Sequence, residues 1–124
     1  MEKIYTKNAP EALGPYTQAI KVGNLVFTSG QIAINPETNA VEATDIVGQA
    51  EQVCKNLCAV LEAAGTDLTK VVKTTCFLAE MSDFAAFNEV YAKYFTGKPA
   101  RSCVAVKTLP RGVLCEVEAI AVIE

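Results

Sequence analysis

At 124 residues the chain has room for one hydrophobic core and is expected to form a single domain over residues 1–124. Apolar residues make up 51% and charged residues 20%, with a net charge of −3, which fits a soluble globular protein and argues against a nucleic-acid partner that needs a basic patch. There is no histidine, so the commonest general base and metal ligand are missing and Ser-His-Asp or Cys-His catalysis is excluded.

Residues 1–15 are polar and carry Pro10 and Gly14-Pro15, so they read as an extended lead-in. A strand is expected from Tyr16 to Val22, a tight turn at Gly23-Asn24, and a second strand from Leu25 to Ser29. Gly30 breaks that strand, Gln31 to Ile34 continues it, and Asn35-Pro36-Glu37-Thr38-Asn39 turns the chain. Thr44 or Asp45 is placed to cap a helix reaching about Ala64. Within it Ile46, Ala50, Val53, Cys54, Leu57, Leu61 and Ala64 recur at three- and four-residue steps as one apolar stripe, and Gly65 follows as a stop.

Val71 to Ala79 reads as a third main strand. Ser82 is the expected cap of a second helix, with Phe84, Phe87, Tyr91 and Tyr94 or Phe95 as its apolar face and Asn88 at the edge of that face. Gly97 and Pro99 end it. A strand from about Ser102 to Lys107, a Pro-Arg-Gly turn and a last strand from Leu114 to Ile123 complete the chain. The fold class is therefore α+β, a two-layer mixed sheet with two helices on one face. In the last strand Cys115, Val117, Ala119, Ala121 and Ile123 alternate with Glu116, Glu118, Ile120 and Val122. Both faces thus carry apolar residues, while the helices suffice for one, and a second subunit is expected on the other.

The stretch from Pro99 to Glu118 carries the chemistry. Arg101 sits in a small apolar run, and an arginine there is costly unless something anionic meets it. Glu116 and Glu118 sit in another such run, where a carboxylate needs a partner or a shifted protonation state. The turn is expected to bring cation and carboxylate together, an arrangement suited to a small anionic substrate that needs a proton moved. Spacing leaves Arg101 either ion-paired with one of these glutamates or free for a ligand, and it does not choose between Glu116 and Glu118.

The five cysteines, an odd number with no Cys-x-x-Cys, read as free core thiols in a reducing compartment. MEKIYTKNAPEA lacks the apolar core of a signal peptide and no apolar run reaches the length of a membrane span, so a cytoplasmic protein with no membrane partner is expected.

Taken in order, Gly14-Pro15-Tyr16, Thr28-Ser29-Gly30-Gln31, Val72-Lys73-Thr74-Thr75, Phe87-Asn88, Pro99-Ala100-Arg101-Ser102-Cys103-Val104 and Glu116-Val117-Glu118-Ala119 resemble the RidA (YjgF) family almost end to end. The resemblance implies a chorismate-mutase-like fold assembled as a homotrimer with a central barrel and sites between subunits. It also implies hydrolysis of short-chain 2-imino acids and their enamine tautomers to 2-keto acids and ammonia, with neither metal nor cofactor. Enzymes that use pyridoxal phosphate, such as threonine and serine dehydratases, release such species. Carried over by residue, Arg101 would hold the substrate carboxylate and Glu116 would activate water or shuttle a proton. Cys103 would line the pocket, Tyr16, Ser29 and Asn88 would supply polar groups, and Gly30 would let backbone approach closely. The segment Thr96-Gly97-Lys98 is several residues shorter than in typical members, which bears on access and substrate size. Two other readings stand beside this one: a non-catalytic carboxylate-binding or chaperone-like module, and a ribonuclease or translation inhibitor. The acidic charge and the missing histidine speak against the second.

Overall fold

The computed structural model describes residues 1–124. Eight strands and two helices follow in the order β1 (Glu2–Ile4), β2 (Ala19–Val22), β3 (Leu25–Thr28), β4 (Ile34–Asn35), β5 (Ala40–Val41), α1 (Ile46–Ala63), β6 (Val71–Leu78), α2 (Phe84–Tyr94), β7 (Ala100–Ala105) and β8 (Cys115–Val122). Six strands form one mixed sheet in the order β1-β2-β3-β8-β6-β7, and β4 pairs only with β5. Only the β6–β7 pair is parallel, joined by the α2 crossover.

Alternation in β8 and β6 decides which way the sheet faces. Cys115, Val117, Ala119 and Ala121 are buried, as are Thr74, Cys76 and Leu78 of β6. Both helices pack on that face. The α1 stripe of Ile46, Ala50, Val53, Cys54, Leu57 and Leu61 is buried, joined by Phe87, Val90 and Tyr91 of α2. One cluster of 25 buried residues results. Each large side chain removed from water stabilises the fold by about 1.5–3 kcal/mol. Asp45 caps α1, its side chain accepting from the Gly48 N–H at 2.8 Å. At the other end Gly65 takes φ of 89°, the left-handed stop its position calls for.

The opposite face of the sheet is open. Ile20, Phe27 and Ile120 pair in one apolar row across β2, β3 and β8, and Phe77 and Val104 pair in a second on β6 and β7 beside Glu116. Phe27 and Val104 remain 41% and 47% exposed. No helix is long and apolar enough to cross a membrane.

The structure corrects several expectations. The lead-in contains a strand, β1, paired with β2. Tyr16 precedes β2, which starts at Ala19, and Ser29 lies just past β3. After Gly30 the pairing with β8 resumes only as a single bridge, Gln31 to Val117, one residue out of register with β3, and the chain then leaves the sheet for β4. Ser82 does not cap α2: residues Met81–Asp83 form a 3-10 turn and no side chain caps the helix. The Pro-Arg-Gly turn exists, with Arg111 at φ of 56° and Gly112 at 65°, but the strands it connects are not neighbours. β6 lies between β7 and β8.

Gln18 is 2% exposed and ties the lead-in to the sheet. Its amide nitrogen donates to the carbonyls of Thr6 and Pro10 at 2.9 Å each, and its oxygen accepts from Thr6 N–H at 2.7 Å. Gln18→Ala leaves these groups unpaired and should lower stability by about 2–3 kcal/mol. Urea denaturation and faster proteolysis within residues 5–15 are the measurements; an unchanged midpoint with an unchanged cleavage pattern would show that the lead-in is held by something else.

Candidate functional site in two half-sites

Arg101 and Glu116 face opposite sides of the sheet. Arg101 pairs with Thr74 of β6, whose side chain is on the helix face, while Glu116 pairs with Phe77 on the open face. The expected meeting of cation and carboxylate across a turn therefore does not occur within one chain. The sequence-derived residues separate into two groups: Arg101, Asn88 and Cys103 on the helix side, and Glu116, Gly30, Ser29 and Tyr16 on the other.

On the helix side, α2 supplies the surroundings of Arg101. Its Nη1 donates to Asn88 Oδ1 at 2.7 Å. Its guanidinium lies 4.8 Å from the Tyr91 ring centroid and 5.4 Å from that of Phe84. No carboxylate is near it, since the only ion pair in the chain joins Lys70 to Glu124. Arg101 is thus a half-buried cation held entirely by neutral groups. It lines an open pocket of about 360 Å³ with Asn88, Tyr91, Thr96 and Lys98. In the short segment before it, Lys98 adopts φ of 51° and donates its N–H to Phe95 O at 3.2 Å.

Cys103 stands two residues along β7 from Arg101, level with Cys76 of β6, and packs against the core. Burial pushes its thiol up, and the Arg101 charge opposes this only in part. A thiol kept protonated is a poor nucleophile, which speaks against covalent chemistry; Cys103 is not among the residues that line the Arg101 pocket. Cys76 and Cys115, buried beside it, are each pushed up to about 12.

The other group is organised around Gly30. The Gln31 N–H donates to Val117 O at 2.9 Å and the Val117 N–H to Gln31 O at 3.1 Å, which clamps this segment onto β8. A Cβ on Gly30 would lie 2.2 Å from Glu116 Oε2. Any side chain at position 30 would therefore displace the carboxylate, and this is the close approach that requires glycine. Ser29 is oriented by its hydroxyl donating to Thr17 O at 2.6 Å. Tyr16, Gln18, Ser29, Gly30, Pro110 and Glu116 line an open pocket of about 430 Å³. Glu116 is half-buried with no cationic partner, and burial, then the nearby Glu118, raises its carboxyl above the ordinary range. Sequence reasoning missed Gln18 here, and on the helix side it read Phe84 and Tyr91 only as core. A glutamine next to Ala19-Ile20 at the start of a strand was the available signal for the former.

The small α+β domain thus presents an unneutralised arginine on one side of its sheet and a desolvated carboxylate on the other. The chain belongs to the family described as Endoribonuclease L-PSP, whose model matches residues 6–123, the RidA (YjgF) family of the resemblance. It is 49% identical over 123 residues to a 2-iminobutanoate/2-iminopropanoate deaminase of Escherichia coli K12, covering 96% of this chain and 95% of that one. Its structure resembles a putative endoribonuclease of Thermotoga maritima, with a TM-score of 0.97 and 50% identity over 100% of this chain and 98% of the other. It is similar also to E. coli TdcF with bound serine, at a TM-score of 0.95 and 41% identity over the full length of both chains.

Because the folded carboxyl of Glu116 is raised above its unfolded value, its ionisation opposes folding. That penalty is absent below the unfolded pKa and grows as pH rises through the folded one. Glu116→Gln should therefore gain stability relative to the parent at pH 7 and lose that gain near pH 4. Thermal melts across pH 4–8 measure it; a stability difference that does not change with pH would contradict the shift.

Proposed function

We propose that the protein is a 2-iminobutanoate/2-iminopropanoate deaminase, acting as a homotrimer whose sites lie between subunits. It hydrolyses short-chain 2-imino acids and their enamine tautomers to 2-oxo acids and ammonia. The observation that carries this reading is the division of the site: the cation without a counter-charge and the carboxylate without a cation stand on opposite faces of one sheet. Each half lacks what the other offers. A second copy against the open apolar face would set one subunit's Glu116 beside another's Arg101, and a three-fold arrangement closes such a contact. The name of the E. coli relative and the serine held by TdcF, whose carboxylate an arginine fork could take, support the same chemistry.

In the reaction, Arg101 holds the substrate carboxylate through two parallel N–H···O bonds. Asn88 already occupies one Nη1 proton, so the carboxylate meets the remaining edge. The protonated imine carbon is electrophilic without further activation. Glu116, ionised, accepts a proton from water as its oxygen attacks that carbon. The resulting carbinolamine carries the former imine nitrogen as an amine. Glu116 returns the proton to this nitrogen, the C–N bond breaks as the carbinol O–H proton passes to Glu116, and the 2-oxo group forms; the departing ammonia carries that proton away as ammonium, leaving Glu116 ionised again. Water is consumed and no electrons change hands. Gly30 keeps the carboxylate beside bare backbone, and Ser29 and Tyr16 supply hydroxyls at the pocket wall. Orientation of water against a fixed substrate can account for several kcal/mol of the barrier, on the order of what a modest hydrolysis needs.

The test couples the protein to a serine or threonine dehydratase and follows imine decay against its spontaneous rate. Wild type should accelerate decay. Arg101→Ala and Glu116→Gln should each lose at least about 100-fold, the usual scale for a removed acid–base group. The wild-type rate should fall on the acid side as Glu116 becomes protonated. No acceleration by wild type, or full activity in Arg101→Ala, would refute the assignment.

A further inference from the structure

The rings beside Arg101 are themselves fixed from behind. Tyr91 places its hydroxyl 2.7 Å from Thr74 Oγ1, and its ring stacks on Phe95 at 4.4 Å with an interplanar angle of 22°. Thr74 is fully buried and is the register partner of Arg101 in the parallel β6–β7 ladder. The same rung of the sheet thus locates the arginine backbone and anchors the tyrosine lying against its guanidinium. A guanidinium has a flat face and donors around its edge. The Tyr91 ring lies against the group at 4.8 Å. Asn88 takes one donor, from Nη1, and the Nε and Nη2 donors meet no protein acceptor.

We infer that Tyr91, tethered through its hydroxyl to Thr74, is a positioning residue that orients the Arg101 guanidinium so that its free edge receives a carboxylate. The inference rests on the reading that Arg101 binds the substrate carboxylate, and it adds the part that gives the arginine its direction. Without the tether the ring can rock about its χ2 axis and slide in its stack. The guanidinium, having no ion pair to hold it, follows. A bidentate contact depends on direction, so carboxylate binding weakens while the charge at the site is unchanged. Lysine at position 101 would have no plane for the ring to set.

The experiment uses 2-oxobutanoate, a stable product of the proposed reaction, and measures its Kd by calorimetry for the assembled protein. Tyr91→Phe and Thr74→Val each remove the tether and keep the bulk of the side chain. Each should raise Kd severalfold, and the double variant should be no weaker than the worse single one. In imine hydrolysis the change should fall mainly on KM. In an Arg101→Lys background, Tyr91→Phe should leave whatever affinity remains unchanged. A merely structural role predicts a lower Tm with unchanged Kd. Wild-type affinity in both folded variants overturns the inference, as does an equal effect of Tyr91→Phe in the Arg101→Lys background. Failure of the function reading looks different: wild type then does not accelerate imine decay, while the dependence of Kd on Tyr91 persists.

Discussion

Arg101 is held by rings and an amide, not by an opposite charge, and much of the structure follows from that one fact. A half-buried guanidinium loses hydration, and the interactions that replace it here are weak: stacking on an aromatic face is worth about 0.5–2 kcal/mol, and one hydrogen bond to a neutral amide about 1 kcal/mol. A glutamate in place of Asn88 would have paired with the cation and removed it from use. The sheet instead places the residue where only Asn88, Tyr91 and Phe84 can reach it. The chain thereby keeps a cation without a counter-charge, at some expense in stability.

Glu116 repeats the arrangement with the opposite sign. It is drawn into a pocket against Gly30, where a side chain would collide with it, and no lysine or arginine relieves its desolvation. Two unneutralised charges in one small domain would be a defect if they served only the monomer. Their placement on opposite faces of the sheet, with an apolar row exposed beside the carboxylate, makes sense if copies of the chain complete one another. Oligomerisation and chemistry then depend on the same surface.

The α1 stripe and the alternation of β8 were legible because each periodicity is imposed by a single buried face, and the structure buries the residues they name except Ile123, which lies past the end of β8 and is only partly buried. The sheet order was not legible. β7 and β8 are joined by a Pro-Arg-Gly turn that looks like a hairpin, yet β6 inserts between them, and only long-range packing decides that. The error carried into the site: with the strands taken as neighbours, Arg101 and Glu116 were expected to converge within one chain. β1 was missed because a three-residue strand with two charged side chains has no alternation to read. Ser82 failed as a cap because a 3-10 turn displaced the start of α2. Family resemblance named Arg101 and Asn88 in one pocket and Tyr16, Ser29, Gly30 and Glu116 in the other, but residue spacing held no sign that Tyr91 faces a cation, since an aromatic at a core position of α2 is accounted for by packing alone.

The division of the site between copies is tested most directly by complementation. Arg101→Ala and Glu116→Gln chains, each inactive alone, are unfolded together, refolded as a mixture and assayed for imine hydrolysis. If one subunit supplies the arginine and its neighbour the glutamate, random equal mixing restores roughly a quarter of the wild-type sites. If the mixture, confirmed to contain mixed oligomers, stays as inactive as its parents, the two residues do not work across a boundary and the account fails.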